Sequence, residues 1–171
     1  LSLSYCMINQ NRNAMGGIYA GRSTLELDHT LICENGQGTI ATAMLLVSQC
    51  KAYLSHCTIA NNAPAVEIPP ELVAELGIDI TPSILLESSE LTVANSIIWD
   101  GNMPVLDYSN SSVHLMYSDI SGGLEAIDPN WLGSGNLSED PGFAALGHQD
   151  CDPNAPGDCS WISGDYHLLS E

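Results

Sequence analysis

The sequence is short of positive charge: its 171 residues hold 3 Lys+Arg against 21 Asp+Glu, a formal charge of −18. The three basic residues, Arg12, Arg22 and Lys51, are scattered, and the acids run along the whole chain rather than gathering in a tail. Such a field repels polyanions, which makes nucleic acid, anionic membrane and acidic polysaccharide poor partners and cations plausible ones. No apolar run is long enough to span a bilayer, so no membrane insertion is expected, and no signal peptide is present. The chain also lacks an initiator Met and opens at Leu1 already inside a repeat. It reads as part of something longer, so the missing signal peptide says nothing about secretion.

What is present is a pattern that occurs five times, from Leu1, Leu25, Ala52, Leu91 and Val113. Its third column is Leu3, Leu27, Leu54, Val93 and Leu115. Its sixth is small (Cys6, Thr30, Cys57, Ser96, Ser118), and its eighth is Ile in every copy (Ile8, Ile32, Ile59, Ile98, Ile120). Seven residues upstream of the later copies, Ile18, Leu45, Ile84 and Leu106 fall in a further column. Starts separated by 24, 27, 39 and 22 residues mark stacked repeats rather than a globular core.

Each run alternates apolar and polar residues, is rich in Leu, Ile and Val, and is bounded by Gly, Asn, Ser or Asp, which are strand signals. The spacing leaves room for about three short strands per repeat and none for a crossover helix. A parallel β-helix of about five coils buries every such strand. The coils are expected over residues 1–123. A 63–83 insertion, with "PPELVAELG" punctuated as a short helix, interrupts them. Residues 124–171 are expected to cap the same domain, with "GDYHLLSE" supplying one more strand over the open end. The Asn and Gly residues after column eight suit tight corners.

The coils resemble those of secreted bacterial right-handed parallel β-helix proteins, the group with polymorphic outer-membrane-protein-like repeats and pectate-lyase-like folds. The likeness is carried by Gly16-Gly17-Ile18-Tyr19, Leu91-Thr92-Val93 and Cys57-Thr58-Ile59-Ala60-Asn61-Asn62. In the tail it is carried by Gly135-Asn136-Leu137, Asp140-Pro141-Gly142-Phe143 and Gly164-Asp165-Tyr166-His167-Leu168. It covers nearly the whole chain apart from 63–83, and implies a right-handed all-β solenoid on a bacterial secreted or cell-surface protein. The group includes adhesins and surface modules as well as enzymes, so the resemblance specifies fold more than activity.

Chemistry-bearing residues are few. Cys6 and Cys57 share an inward column two coils apart, about 9–10 Å and beyond disulfide reach, and read as buried thiols. Cys33 and Cys50 fall in other columns, without an assigned partner. Cys151 and Cys159 close the short loop "CDPNAPGDC" and are expected to form a disulfide, which fits an oxidising compartment. The same loop gathers Asp150, Asp152 and Asp158, oxygen donors of the kind calcium takes, against the plainer reading of solvated acids.

For catalysis the candidates are Glu26 and Asp28, alternate outward residues about 7 Å apart on one strand, a separation usable by an acid and a base in glycoside hydrolysis. The plainer reading is an acidic surface pair. His29 and His56 follow one another in column five with Tyr5, where metal binding and simple stacking compete and stacking is the simpler account. Trp99 is a candidate carbohydrate contact or a partly buried ring. Asn110 and Asn136 head glycosylation sequons. A pectate-lyase mechanism wants a basic residue beside bound calcium, and the basic residues share no column.

The function expected is therefore a non-catalytic structural or adhesive segment with a carbohydrate or protein surface ligand. End-to-end self-association through the first coil is a variant of it. The alternative is a polysaccharide lyase or glycoside hydrolase with part of its active site upstream of residue 1.

Overall fold

A computed structural model describes residues 1–11, 16–35, 42–62, 83–100, 105–107, 110–151 and 159–169. Apart from Ser83, the expected helical insertion lies outside them. The protein is all-β, and among the described residues its helical element is a single 3₁₀ turn, Leu124–Ala126. The first repeat contributes β1 (Ser2–Ser4), β2 (Met7–Asn9) and β3 (Ile18–Gly21); the second β4 (Thr24–Asp28), β5 (Leu31–Cys33) and β6 (Met44–Val47). The third contributes β7 (Lys51–Ser55), β8 (Thr58–Ala60) and β9 (Ile84–Glu87), and the fourth β10 (Glu90–Ala94), β11 (Ile97–Trp99) and β12 (Val105–Asp107). The fifth supplies β13 (Ser112–Met116) and β14 (Asp119–Ile120).

Successive strands join three different sheets in rotation, and every pairing within those sheets is parallel. The orders are β1-β4-β7-β10-β13, β2-β5-β8-β11-β14 and β3-β6-β9-β12. The register follows the sequence columns: Leu3, Leu27, Leu54, Val93 and Leu115 are successive partners, as are Ile8, Ile32, Ile59, Ile98 and Ile120. Alternation decides the facing. In β4, Leu25 and Leu27 are buried while Thr24 and Glu26 are exposed. The core is this stack of Leu, Ile and Val, and burying each such side chain contributes about 1.5–3 kcal/mol.

The upstream column needs a correction. Ile18 pairs with Met44, Met44 with Ile84 and Ile84 with Val105, so Leu45 and Leu106 belong one position over. For Leu45 the reason is a turn of unequal length. The third repeat is entered through two left-handed residues, Ser48 and Gln49, where the second and fourth are entered through one, Arg22 and Ser88.

The stacking also continues beyond Gly123. Leu115 N–H donates to Trp131 O, Tyr117 N–H to Ser134 O, and Leu137 N–H to Ser118 O, at 2.8, 2.9 and 3.0 Å. The segment up to Glu139 thus adds an irregular sixth rung, and the compact units are Leu1–Glu139 and Asp140–Glu171. The second unit holds two antiparallel pairs, β15 (Phe143–Ala145) with β18 (Asp165–Leu168) and β16 (His148–Cys151) with β17 (Cys159–Ile162). "GDYHLL" does form a strand, but its partner is β15. The Gly16 of the "GGIY" motif has φ +84, and a Cβ there would run into the Thr42 carbonyl of the next repeat, so the turn demands glycine.

Candidate functional site

Column five forms one corner of the stack. Tyr5, His29, His56, Asn95 and Tyr117 all take left-handed backbone, with φ between 48 and 54. That conformation costs a non-glycine residue about 1–2 kcal/mol. Here it lets the hydrogen bonding turn the corner without a gap: Tyr5 N–H donates to Asp28 O, His29 N–H to Ser55 O and His56 N–H to Ala94 O, at 3.1, 3.0 and 3.2 Å. Because each repeat adds one such residue in register, the side chains must stack. Tyr5 lies on His29 and His29 on His56, each pair with ring centroids 4.7 Å apart and planes within 18°.

Asp28, the last residue of β4, faces this stack. Its Oδ2 lies 2.9 Å from His29 Nδ1 and its Oδ1 3.5 Å from His56 Nδ1. The hydrogen bond from His29, reinforced by His56, holds the Asp28 carboxyl below the usual carboxylate range, so it stays ionised. Ser55 Oγ is 2.8 Å from His56 Nδ1. Serine and carboxylate therefore meet the same ring nitrogen, whereas a serine-nucleophile relay needs them on opposite nitrogens.

Glu26 and Asp28 stand on one face of β4 as expected, beside Tyr53 and Ser55 of β7. Glu26 is exposed, whereas Asp28 is half-buried and committed to the two imidazoles. Trp99 is half-buried, in register with the buried Ala60 and Cys33. Asn110 is exposed and lines a shallow groove of about 260 Å³ beside the Lys51–Glu90 ion pair. Asn136 is bound into the stack, where its Oδ1 accepts from Ser118 N–H at 3.1 Å and its Nδ2 donates to Leu115 O at 2.8 Å. Cys6, Cys33, Cys50 and Cys57 are free thiols, and burial first, then Glu34 and Asp100, pushes Cys33 up to about 12. Asp150 is exposed on β16, while Asp152 and Asp158 lie outside the described residues.

Cys151 and Cys159 are direct partners across β16 and β17. Partners in an antiparallel pair have Cα atoms about 4.5–5.5 Å apart, within disulfide range. A gain of two hydrogens on reduction is the expected mass change; two thiols that alkylate without reductant would oppose the bond.

Inside the stack runs a polar ladder that the sequence columns did not expose. Asn11 Nδ2 donates to Asn35 Oδ1, Asn35 Nδ2 to Asn62 Oδ1 and Asn62 Nδ2 to Asp100 Oδ2, at 2.8, 2.9 and 2.8 Å. Backbone donors join it: Asn35 N–H reaches Asn62 Oδ1 and Asn62 N–H reaches Asp100 Oδ1, at 3.1 and 2.6 Å. Asn35 and Asn62 also bond back to Ile8 O and Ile32 O. Asp100 ends the ladder only 5% exposed. Burial pushes its carboxyl above the usual range, opposed by the two donors of Asn62. A second ladder follows column six, where Cys57 N–H donates to Ser96 Oγ and Ser96 N–H to Ser118 Oγ. Asn136 extends it on the sixth rung.

No family model matches the chain, and neither a curated protein nor a solved structure matches it.

Proposed function

We propose that the chain is a length of right-handed parallel β-helix serving as a non-catalytic scaffold or adhesive segment of a secreted or cell-surface protein. The observation that carries this reading is the pair of interior ladders. The asparagines and serines of the corners, which a binding site would present outward, are spent on joining each repeat to the next. A stack braced this way is stiff, and its acidic exterior discourages unspecific association. The bacterial origin rests on the resemblance, and the secreted or surface placement on the resemblance and on the register of Cys151 with Cys159.

The hydrolase alternative fares less well on the same residues. Glycoside hydrolysis needs one carboxylic acid held protonated and one carboxylate ionised. Asp28 is held ionised, and the carboxyl pushed upward, Asp100, is buried inside the stack away from any sugar. The test is reducing-sugar release from a panel of polysaccharides by the full-length protein, with Glu26→Gln and Asp28→Asn beside it. No release is expected. Release that either substitution abolishes would replace the scaffold with a hydrolase.

A further inference from the structure

We propose that Asp28, His29 and His56 bind a divalent transition-metal ion of the zinc type and so clip the second repeat to the third. One donor atom from each residue lies within 4.8 Å of the others. Neighbouring donors around a tetrahedral ion with bonds of about 2.0–2.1 Å sit about 3.3 Å apart. The imidazole–carboxylate separations are 2.9 Å from His29 Nδ1 to Asp28 Oδ2 and 3.5 Å from His56 Nδ1 to Asp28 Oδ1, so both rings already reach the carboxylate at about that length, and a rotation of the Asp28 carboxyl presents one oxygen to both. The third edge, between the two Nδ1 atoms, closes if the rings tilt toward each other. They must tilt in any case, because planes 15° from parallel do not aim their in-plane lone pairs at one point. Room for that movement exists, since the side chains of His29 and His56 are 43% and 50% exposed.

The backbone beneath the rings is fixed. Both histidines sit in the left-handed corner with their N–H groups bonded to the following repeat, so their Cβ directions are set by the fold. Asp28 supplies a carboxylate oxygen, and each imidazole binds through Nδ1 as the neutral tautomer with its proton on Nε2. The Ser55 hydroxyl gives up its contact with His56 Nδ1, and water completes the coordination. Two imidazoles with one carboxylate suit zinc, copper or nickel, whereas calcium and magnesium prefer an all-oxygen shell. This is a different set of residues from the acidic loop around Asp150, and a different class of metal. The inference stands apart from the scaffold reading, because a clip can occur on a scaffold or an enzyme.

The experiment titrates zinc into chelator-treated full chain, with cobalt as a spectroscopic substitute. One ion per chain is expected, unaffected by excess calcium and by Asp150→Asn, and weakened about tenfold or more in His29→Gln and in His56→Gln. In the unmodified chain, zinc is expected to move the ring proton signals of His29 and His56 and leave those of His114, His148 and His167 in place. That readout needs no variant to fold. Equal affinity in parent and both variants would overturn the assignment, as would shifts spread over all five histidines or no binding at about 1 mM zinc.

Discussion

Asn62→Ala is expected to lower the stability of the chain by about 3–5 kcal/mol, a large loss for one polar residue. The side chain is 1% exposed and sits in the middle of the ladder. Its Oδ1 accepts from both Asn35 N–H and Asn35 Nδ2, and its Nδ2 donates to Ile32 O and Asp100 Oδ2. Truncation strips partners from donors on one side and from a buried carboxylate on the other, and each polar group left unmet inside a protein costs about 1–3 kcal/mol. Denaturant unfolding of the two proteins side by side measures the difference. A loss below about 1 kcal/mol, the size of one ordinary hydrogen bond, would mean that the ladder does not brace the stack.

Asp100→Asn is expected to act in the opposite direction, stabilising the chain by about 1–3 kcal/mol at neutral pH. Asp100 occupies the ladder's last position as a buried carboxylate, whose ionised form burial disfavours. An amide there keeps both bonds from Asn62 by turning its single oxygen to both donors, as Asn62 Oδ1 serves the N–H and Nδ2 of Asn35. Its own Nδ2 can then donate to a carbonyl of the preceding repeat, as Asn62 does to Ile32 O. For a chain of this length each kcal/mol corresponds to about 2–4 °C in melting temperature.

The pH dependence follows from the direction of the shift. A carboxyl raised above its unfolded value of about 3.9 contributes stability that is fully present below that value and lost as pH rises through the raised folded value. The advantage of the Asn variant should therefore grow from acid toward neutral pH within that window. Asp28, held low by His29, works in the other direction in both proteins and cancels in the comparison. Parallel stability curves for the two proteins from about pH 3 to neutral would show that Asp100 is not held above its ordinary value.

Much of this architecture is legible in the residues themselves. Ser2, Glu26, Tyr53, Thr92 and His114 read as one outward column and are successive partners across the first sheet. The signal is strong because one face of each strand is buried, and a one-residue slip would expose Leu27 and Leu54. The upstream column fails at Leu45 because a corner separates it from the repeat start, and an extra left-handed residue there, Gln49, shifts the count. A similar irregularity hides the ladder. Asn11, Asn35 and Asn62 follow the column-eight Ile by three residues, but Asp100 follows Ile98 by two, so counting from the Ile aligns the three asparagines and leaves the residue that ends the ladder out of their column. The corner asparagines suggest turn formers, whereas the left-handed residues are their neighbours Gln10, Glu34 and Asn61. His29 and His56 are legible as a stack. Their link to Asp28 is not, because pairing Asp28 with Glu26 along the strand ignores that the corner brings two other residues nearer.

Spin labels at Ser2 and His114 test the stacked scaffold most directly. Both side chains are exposed and lie four pairings apart in one column of the first sheet. Cys6, Cys151 and Cys159 are first replaced by Ser, the residue that column six carries at Ser96 and Ser118. At about 4.8 Å per pairing, one narrow distance centred near roughly 19 Å is expected between the two backbone positions, widened only by the label arms. A broad distribution, or a peak beyond about 30 Å, would contradict a stack of repeats paired in parallel from the first to the fifth.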